Sequence, residues 1–300
     1  MKKAVLFPGQ GAQFVGMGRD LYDAIPECKA LFEKANEVLG FDIASICFDG
    51  PEDELKKSHN TQPAIFTVSA AAFEAMKLKK PMAFDFAAGH SLGEWGALYA
   101  AGVLSFEDTL KALKARGEFI QAACDANPGG MLAVIGLDGE PLEKIAAETG
   151  ATVANYNSPG QTVLSGTAEA MEKAAEACKA AGAKRALPLP VAGAFHSPLM
   201  QPAADRMAEL LDDIEISEPS MPVLSNVTGA PHENAAAVRE NMVAQITGSV
   251  RWVECMQYLA GQGVTEAVEC GPGKVLAGLM KRIDRNVSVA NIGGFSDLEN

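Results

Sequence analysis

The stretch AAGHSLGEWGAL, residues 87–98, places Ser91 between two glycines in the pentapeptide GHSLG. A short apolar segment before it predicts a buried strand over 84–88, and the residues after the serine suit a helix over 93–101. Strand, turn and helix in that order are the context in which G-x-S-x-G marks an exposed nucleophile. The N–H groups at the start of such a helix also suit an oxyanion. The competing interpretation is an ordinary turn whose serine only caps the helix, and we favour the nucleophile.

Strands and helices alternate along the chain, which predicts an α/β fold. Its main body should be α/β-hydrolase-like, with helices on both faces of a mostly parallel sheet. Residues 127–193 differ, because a break at 127–130 is followed by the order β-α-β-β-α-β, the ferredoxin-like arrangement. We therefore predict a large catalytic domain from residues 1–126 and 194–300 and an inserted small domain over 127–193. Other predicted elements include helices over 18–39 and 105–123, a strand over 222–226, and a helix over 238–259 that breaks near Gly248.

The charge balance and the apolar segments limit the partners and the location. Acidic residues outnumber basic ones by 38 to 25, for a net charge of −13, which disfavours nucleic acid as a partner. No segment approaches the ~18 apolar residues of a membrane helix, and the apolar run at 4–7 is too short for a signal peptide. We therefore predict a cytoplasmic protein without membrane contact. The six cysteines and four histidines lack metal-ligand spacing, which predicts free thiols and no metal site.

A serine nucleophile needs a base, and the chain has four histidines. His90 adjoins the serine, and neighbouring side chains at such a turn diverge. His59 lies in a polar segment, and His232 in what we predict to be a surface loop. His196 lies where the predicted insert rejoins the main body, so we favour it by elimination; the competing interpretation is a loop or capping histidine. No acidic residue can be identified as a third member, which leaves a backbone carbonyl as a candidate for orienting the imidazole.

Arg116 lies beside the apolar face of the predicted helix over 105–123, three residues after Leu113. An arginine in that position must find an anion or extend its side chain to solvent. From the residues alone we interpret it as a surface arginine.

Seven blocks of sequence resemble, in their order, those of the malonyl-CoA:acyl-carrier-protein transacylases of fatty-acid synthesis. The resemblance extends, more distantly, to the acyltransferase domains of polyketide synthases, and it covers nearly the whole chain. One departure is Ser249, where the family usually has proline, and another is Trp95, where it commonly has tyrosine. The blocks are LFPGQGAQFVGMG (6–18), TQPAIF (61–66), GHSLGEW (89–95), RG (116–117), GAFHSPLM (193–200), QITGSVRW (245–252) and ECGPGKVL (269–276).

The resemblance implies a role for each matching residue. Ser91 would be the acylated nucleophile and His196 its base. The backbone N–H groups of Gln10 and Leu92 would form the oxyanion hole.

Three further residues receive roles from the same resemblance. Arg116 would hold the malonyl carboxylate in a bidentate pair, the contact for which a planar guanidinium is best suited. Gln245 would orient the imidazole through its backbone carbonyl. Phe195 resembles the malonyl-selective pattern, since its bulk should crowd an α-methyl branch.

The implied activity is ping-pong transfer of a malonyl group from malonyl-CoA to the phosphopantetheine thiol of acyl carrier protein. The resemblance implies no cofactor and a monomer. One alternative is a serine esterase or thioesterase that uses the same Ser-His pair, for which Arg116 would have no use. A second alternative, a non-catalytic carrier-protein or acyl-CoA binding module, leaves the combination of serine, histidine and arginine unexplained.

Carrier proteins are acidic as a class, and so is this chain, so docking would require a local basic patch. The candidate residues cluster in two short segments. The competing interpretation is a solvated helix face. The candidates are Lys184, Arg185, Lys281, Arg282 and Arg285.

Overall fold

The computed structural model describes residues 2–299, which form two β-sheets with helices packed around them. The strands are β1 Lys2–Phe7, β2 Phe86–Gly89, β3 Gly129–Ile135, β4 Thr152–Ser158, β5 Gln161–Thr167, β6 Arg185–Pro188, β7 Val264–Cys270 and β8 Ser288–Ile292. The helices are α1 Arg19–Ala24, α2 Pro26–Leu39, α3 Ile43–Asp49, α4 Glu52–Leu55, α5 Ser58–Lys79, α6 Gly93–Ala100, α7 Phe106–Ala126, α8 Gly139–Thr149, α9 Ala168–Ala180, α10 Gln201–Asp212, α11 Ala235–Ala244, α12 Trp252–Gly261 and α13 Val275–Ile283.

The larger sheet has the order β2-β1-β7-β8, and all its strand pairs are parallel. The last four residues of β1 are buried, as expected for a strand covered on both faces. The predicted α/β fold with a mostly parallel sheet is confirmed. The strand predicted over 222–226 is wrong as a full element. The segment forms two isolated bridges, Val223 with Ala87 (parallel) and Leu224 with Pro231 (antiparallel), because Pro222 has no N–H to extend the ladder and the chain turns at 226–229.

The smaller sheet has the order β4-β5-β3-β6 and is antiparallel throughout. Helices α8 and α9 connect its strands and share a separate hydrophobic core with them. The predicted ferredoxin-like β-α-β-β-α-β arrangement is therefore confirmed. The division of the chain at residues 127 and 193 stays a prediction.

Two helical stretches are interrupted, one unexpectedly and one at the predicted break near Gly248. The stretch over 18–39 divides into α1 and α2 at Ile25, which is extended (φ −126°, ψ 110°) because a residue before proline avoids helical angles. Pro26 then starts α2, where its missing N–H costs nothing. The stretch over 238–259 divides into α11 and α12, and the interruption is the whole of 245–251. Short helices α3 and α4 were not predicted. No helix within residues 2–299 is both long and apolar enough to cross a membrane.

The segment at 245–251 also joins the two sheets. Val250 pairs with Asn155 of β4 in a parallel bridge. Tyr156 N donates to Val250 O at 2.9 Å, and Val250 N donates to Ala154 O at 2.8 Å. The hydroxyl of Ser249 donates to Val153 O at 2.6 Å, a bond that a proline in that position could not make.

Tight packing between β1 and the start of α6 requires glycine at residue 93. A Cβ there would overlap the carbonyl oxygen of Phe7. We expect Gly93→Ala to lower the free energy of unfolding by about 3 kcal/mol, since the backbones must separate to admit the methyl group. Urea denaturation would measure the change. The matched control is Gly278→Ala in α13, where a Cβ meets nothing within 4 Å and a gain of up to about 1 kcal/mol is expected. Equal stability of the two variants would contradict this packing argument.

Candidate active site

Ser91 lies on the turn between β2 and α6 and has a left-handed backbone (φ 52°). Few non-glycine residues adopt this conformation, and it persists only where the surroundings hold it in place. His90 N donates to Phe7 O at 3.0 Å, and Gly93 N donates to His90 O at 2.9 Å. The turn therefore has the strained backbone of a nucleophile elbow, with the hydroxyl projecting from it.

Asn226 holds this turn from the other side, and the sequence did not identify it. Its Oδ1 accepts from Ser91 N at 2.7 Å, and its Nδ2 donates to Gly89 O at 2.8 Å. The residue is fully buried. Its position offered a signal, because it follows the segment that pairs with β2, at the carboxyl edge of the parallel sheet where functional residues gather.

The hydroxyl of Ser91 and Nε2 of His196 are 2.9 Å apart. His196 Nδ1 faces two backbone carbonyls, Gln245 O at 2.8 Å and Gly248 O at 3.1 Å. Carbonyls only accept, so Nδ1 carries the proton and Nε2 presents a lone pair to the hydroxyl. Burial, with the positive charge of Arg116 nearby, lowers the pKa of His196 to about 3. The ring is therefore a neutral acceptor at pH 7, as a general base must be.

His90 and His232 have other hydrogen-bond partners. His90 lines the same cavity as Ser91, but its Nε2 lies 2.8 Å from Asn157 Oδ1 in the small sheet. The prediction that His232 lies in a surface loop is wrong. The loop folds back so that His232 N donates to Val223 O, and the side chain is buried 2.8 Å from Glu94 Oε1.

Arg116 is 3% exposed, so the interpretation of it as a surface arginine is wrong. Its Nη2 donates to Ser91 Oγ at 3.2 Å and to Gln245 Oε1 at 3.1 Å, and its Nη1 donates to Gln62 Oε1 at 2.7 Å. Burial lowers the pKa of Arg116 to about 10, while the charge of Glu94 opposes the shift. The Arg116 guanidinium thus contacts Ser91 while neutral amide oxygens hold it in place. Among residues 2–299, no carboxylate forms an ion pair with Arg116.

The side chains of Ser91, His196, Arg116 and Gln62 line one cavity of about 200 Å³ between the large body and the small sheet. Gln10 and Phe195 line it as well, and Leu92, the residue after Ser91, is buried. Within the described chain, no protein acceptor takes the backbone N–H of Gln10 or Leu92. The polar lining is Gln10, Gln62, His90, Ser91, Arg116, Asn155, Asn157 and His196; the apolar lining is Ile120, Met131, Val163, Leu189, Val191, Phe195, Met200 and Ile246.

The arrangement combines a nucleophile, a neutral base and a buried cation, which together suit acyl transfer from a substrate that carries an anionic group. Clusters of three or more histidine, cysteine or acidic side chains able to hold a metal ion are absent from the part of the chain that the structure describes.

Comparison with known proteins places this geometry among acyl-transferring enzymes. The family described as "Acyl transferase domain" matches residues 5–294. The malonyl CoA-acyl carrier protein transacylase of Bacillus subtilis (strain 168) is 44% identical over 99% of this chain and 95% of its own. The protein of the same name from Escherichia coli (strain K12) is also 44% identical, over 93% and 92%.

Solved structures agree in fold. An acyl carrier protein S-malonyltransferase from Vibrio cholerae superposes with a TM-score of 0.97 at 40% identity, covering 100% of this chain and 99% of that one. A malonyl-transacylase solved in complex with its type II polyketide-synthase acyl carrier protein has a TM-score of 0.96 at 42% identity, covering 100% and 98%.

The lowered pKa of His196 predicts a flat response to acid. The rate constant for labelling of Ser91 by a neutral fluorophosphonate should stay within about threefold from pH 8 to pH 5, because the base remains unprotonated. A histidine with the ordinary pKa near 6.5 would lose about 30-fold at pH 5. Quench-flow labelling followed by mass spectrometry measures this, with His196→Ala as the control that should label slowly at every pH. A fall with a midpoint near pH 6.5 would contradict the assignment.

Proposed function

The chain belongs to the acyl transferase family, and from that premise we propose that it transfers a malonyl group from malonyl-CoA to the thiol of an acyl carrier protein through an ester of Ser91. It is thus an acyl-carrier-protein S-malonyltransferase. One observation carries the proposal: Ser91 Oγ lies 2.9 Å from the base His196 and 3.2 Å from the cation Arg116 in a single cavity.

In the first half-reaction, His196 Nε2 takes the hydroxyl proton as Ser91 Oγ attacks the thioester carbonyl. The backbone N–H groups of Gln10 and Leu92 donate to the oxyanion, and each such donor typically contributes ~3–4 kcal/mol. The C–S bond then breaks, and the CoA sulfur leaves with the proton from His196. In the second half-reaction, His196 takes the proton of the carrier thiol, its sulfur attacks the ester, and Ser91 leaves with that proton.

Arg116 selects the acyl group. A malonyl carboxylate can accept two parallel hydrogen bonds from a guanidinium, whereas an acetyl group has no partner for it. Gln62 and Gln245 hold the guanidinium in place by accepting from Nη1 and Nη2. Phe195, which also lines the cavity, would crowd an α-methyl branch.

Gln245 replaces the acidic member of a Ser-His-Asp triad. Its carbonyl and that of Gly248 orient the imidazole without adding a negative charge beside it.

The esterase alternative lacks support from the cavity, since hydrolysis of simple esters would not need a buried arginine against the nucleophile.

The carrier protein would dock on the two basic segments, which a hydrogen bond between α13 and the small sheet connects. Arg282 Nη1 donates to Gln161 Oε1 at 2.8 Å, linking α13 to β5. Gln161 and Arg185 flank Ile135 on its two sides in the small sheet. The side chains of Lys184, Arg185, Lys281, Arg282 and Arg285 are all exposed, and we propose that together they form a basic surface for an acidic partner.

A cytoplasmic location is part of the proposal, and it is supported by six cysteines that are all free and buried. The absence of a cofactor and the monomeric state stay predictions.

We expect Arg116→Ala to lower kcat/KM for malonyl-CoA by about 100-fold, since a bidentate charged contact is lost, and to leave or raise the rate with acetyl-CoA. The matched control is Arg206→Ala on α10, an exposed arginine that stacks on Phe119 away from the cavity. Transfer to purified carrier protein and the mass of the acyl-enzyme give the two readouts. Malonyl transfer by Arg116→Ala at the wild-type rate would overturn the carboxylate contact, and prompt release of free malonate by the wild type would favour the hydrolase.

The docking surface is tested by charge reversal in Lys281→Glu/Arg282→Glu. The KM for carrier protein should rise about tenfold, with kinetics for CoA esters unchanged, because attraction to the acidic partner becomes repulsion. Gln161→Ala removes the hydrogen bond to Arg282 without a charge change, and Lys29→Glu/Lys34→Glu on α2 reverses two charges on the large body. An unchanged carrier-protein KM in the first variant, or the same rise in the controls, would rule out this surface.

A further inference from the structure

We propose that Glu94 is a positioning residue that sets the geometry of the Ser91 site through Gln245 and Asn226. The inference rests on the proposed malonyl transfer, because its main consequence is selection of a carboxylated acyl group. Glu94 does not line the cavity, and the two half-reactions assign it no chemical step.

Glu94 is the one charged side chain of helix α6 (GEWGALYA), and it is fully buried. A buried carboxylate is unfavourable unless donors satisfy its oxygens. His232 Nε2 lies 2.8 Å from Oε1, while Gln245 Nε2 and Asn226 N donate to Oε2 at 2.6 and 3.1 Å. Two of these three donors, Gln245 and Asn226, come from residues that contact the reacting groups. The carboxylate is therefore connected to the site in two ways, which we call its two arms.

The first arm runs through Gln245. Its Nε2 donates to Glu94 and, at 3.0 Å, to Ser91 O, so its Oε1 must face the other way, where it accepts from Arg116. The backbone carbonyl of the same residue holds His196. One glutamine, oriented by the carboxylate, therefore fixes both the base and the cation.

The second arm runs through Asn226, whose backbone N–H donates to Glu94. The side chain of this asparagine holds Ser91 N and Gly89 O, the two ends of the left-handed turn. A shift of the carboxylate would thus reach the nucleophile and the base together.

The Glu94 carboxylate is itself held by His232, which does not line the cavity. Asn241 Nδ2 lies 3.1 Å from Nδ1 of His232, and an amide nitrogen only donates, so the imidazole proton is on Nε2 and is given to Glu94. Both side chains of the His232–Glu94 pair are fully buried.

The placement also suits the electrostatics of Arg116. Glu94 lies close enough for its charge to favour the buried cation, yet the amide of Gln245 separates the two groups. A carboxylate in direct contact would occupy the guanidinium and exclude the substrate. With one amide between them, Arg116 is stabilised but keeps donors for an incoming carboxylate.

Glu94→Gln tests the proposal. Each carboxylate oxygen already faces a donor, so the new NH2 group requires a change in its partners: at the Oε2 position the Gln245 amide must rotate or Asn226 must move, and at the Oε1 position His232 must change tautomer and the Asn241 amide must flip. We expect the ratio of acyl-enzyme formation rates for malonyl-CoA over acetyl-CoA to fall at least about tenfold, and kcat/KM for malonyl transfer to fall about 100-fold, as small misplacements in a site can. Rapid quench with mass spectrometry of the Ser91 adduct measures the ratio.

A double-mutant cycle separates positioning from general damage. In an Arg116→Ala background, Glu94→Gln should no longer change the malonyl-to-acetyl ratio, since its effect on selection passes through Arg116. Glu269→Gln is the matched control: this fully buried carboxylate accepts from Leu276 N, Ala277 N and Asn291 Nδ2 at the start of α13. It should lower thermal stability and leave the ratio unchanged.

Glu94→Asp keeps the charge and withdraws it by one methylene, so it provides a milder variant if Glu94→Gln does not fold. It should lower the ratio by several-fold. A wild-type ratio in a folded Glu94 variant, or an equal loss in Glu269→Gln, would overturn the proposal. Failure of the proposed function gives a different result, because the wild type itself would then transfer no malonyl group to the carrier.

Discussion

A guanidinium buried against a serine, with no carboxylate of residues 2–299 hydrogen-bonded to it, is the constraint around which this site is built. Arg116 remains positively charged at neutral pH, although burial lowers its pKa. Its charge helps keep His196 neutral. It also explains why the neighbouring polar groups are amides, since Gln62 and Gln245 can orient the cation without neutralising it. Nucleophile, base and selectivity are thereby coupled through one side chain.

The base is likewise oriented by neutral groups. Two backbone carbonyls hold His196 Nδ1 in the place where many hydrolases have an aspartate. An aspartate there would raise the pKa of the imidazole and form an ion pair with Arg116 if it came close enough. Carbonyls fix the tautomer just as well and leave the cation available to the substrate.

Sequence reasoning succeeded where the signal is local. The elbow at Ser91 depends on adjacent glycines and a strand-to-helix change, and the small sheet on the order of short elements, so both could be predicted. Asn226, Glu94 and His232 act through contacts more than 130 positions apart in sequence, which no local pattern reveals. The sequence does contain one signal for Glu94, because it is the single charged residue in the segment that forms α6. The burial of Arg116 was not predicted, because an arginine at the edge of an apolar face is usually able to reach solvent; the resemblance implied only a contact with the malonyl carboxylate.

The seven residues between α11 and α12 belong to both walls of the cleft. At one end their carbonyls hold the imidazole, and at the other their backbone pairs with β4, with the Ser249 hydroxyl adding a bond to Val153 O. The same segment therefore contacts both His196 and the small sheet. A tilt of that sheet that widens the entrance would shift this segment, and with it the two carbonyls that hold His196 Nδ1. The orientation of the imidazole is thus coupled to the position of the small sheet, because the same seven residues carry the carbonyls that hold Nδ1 and the backbone that pairs with β4.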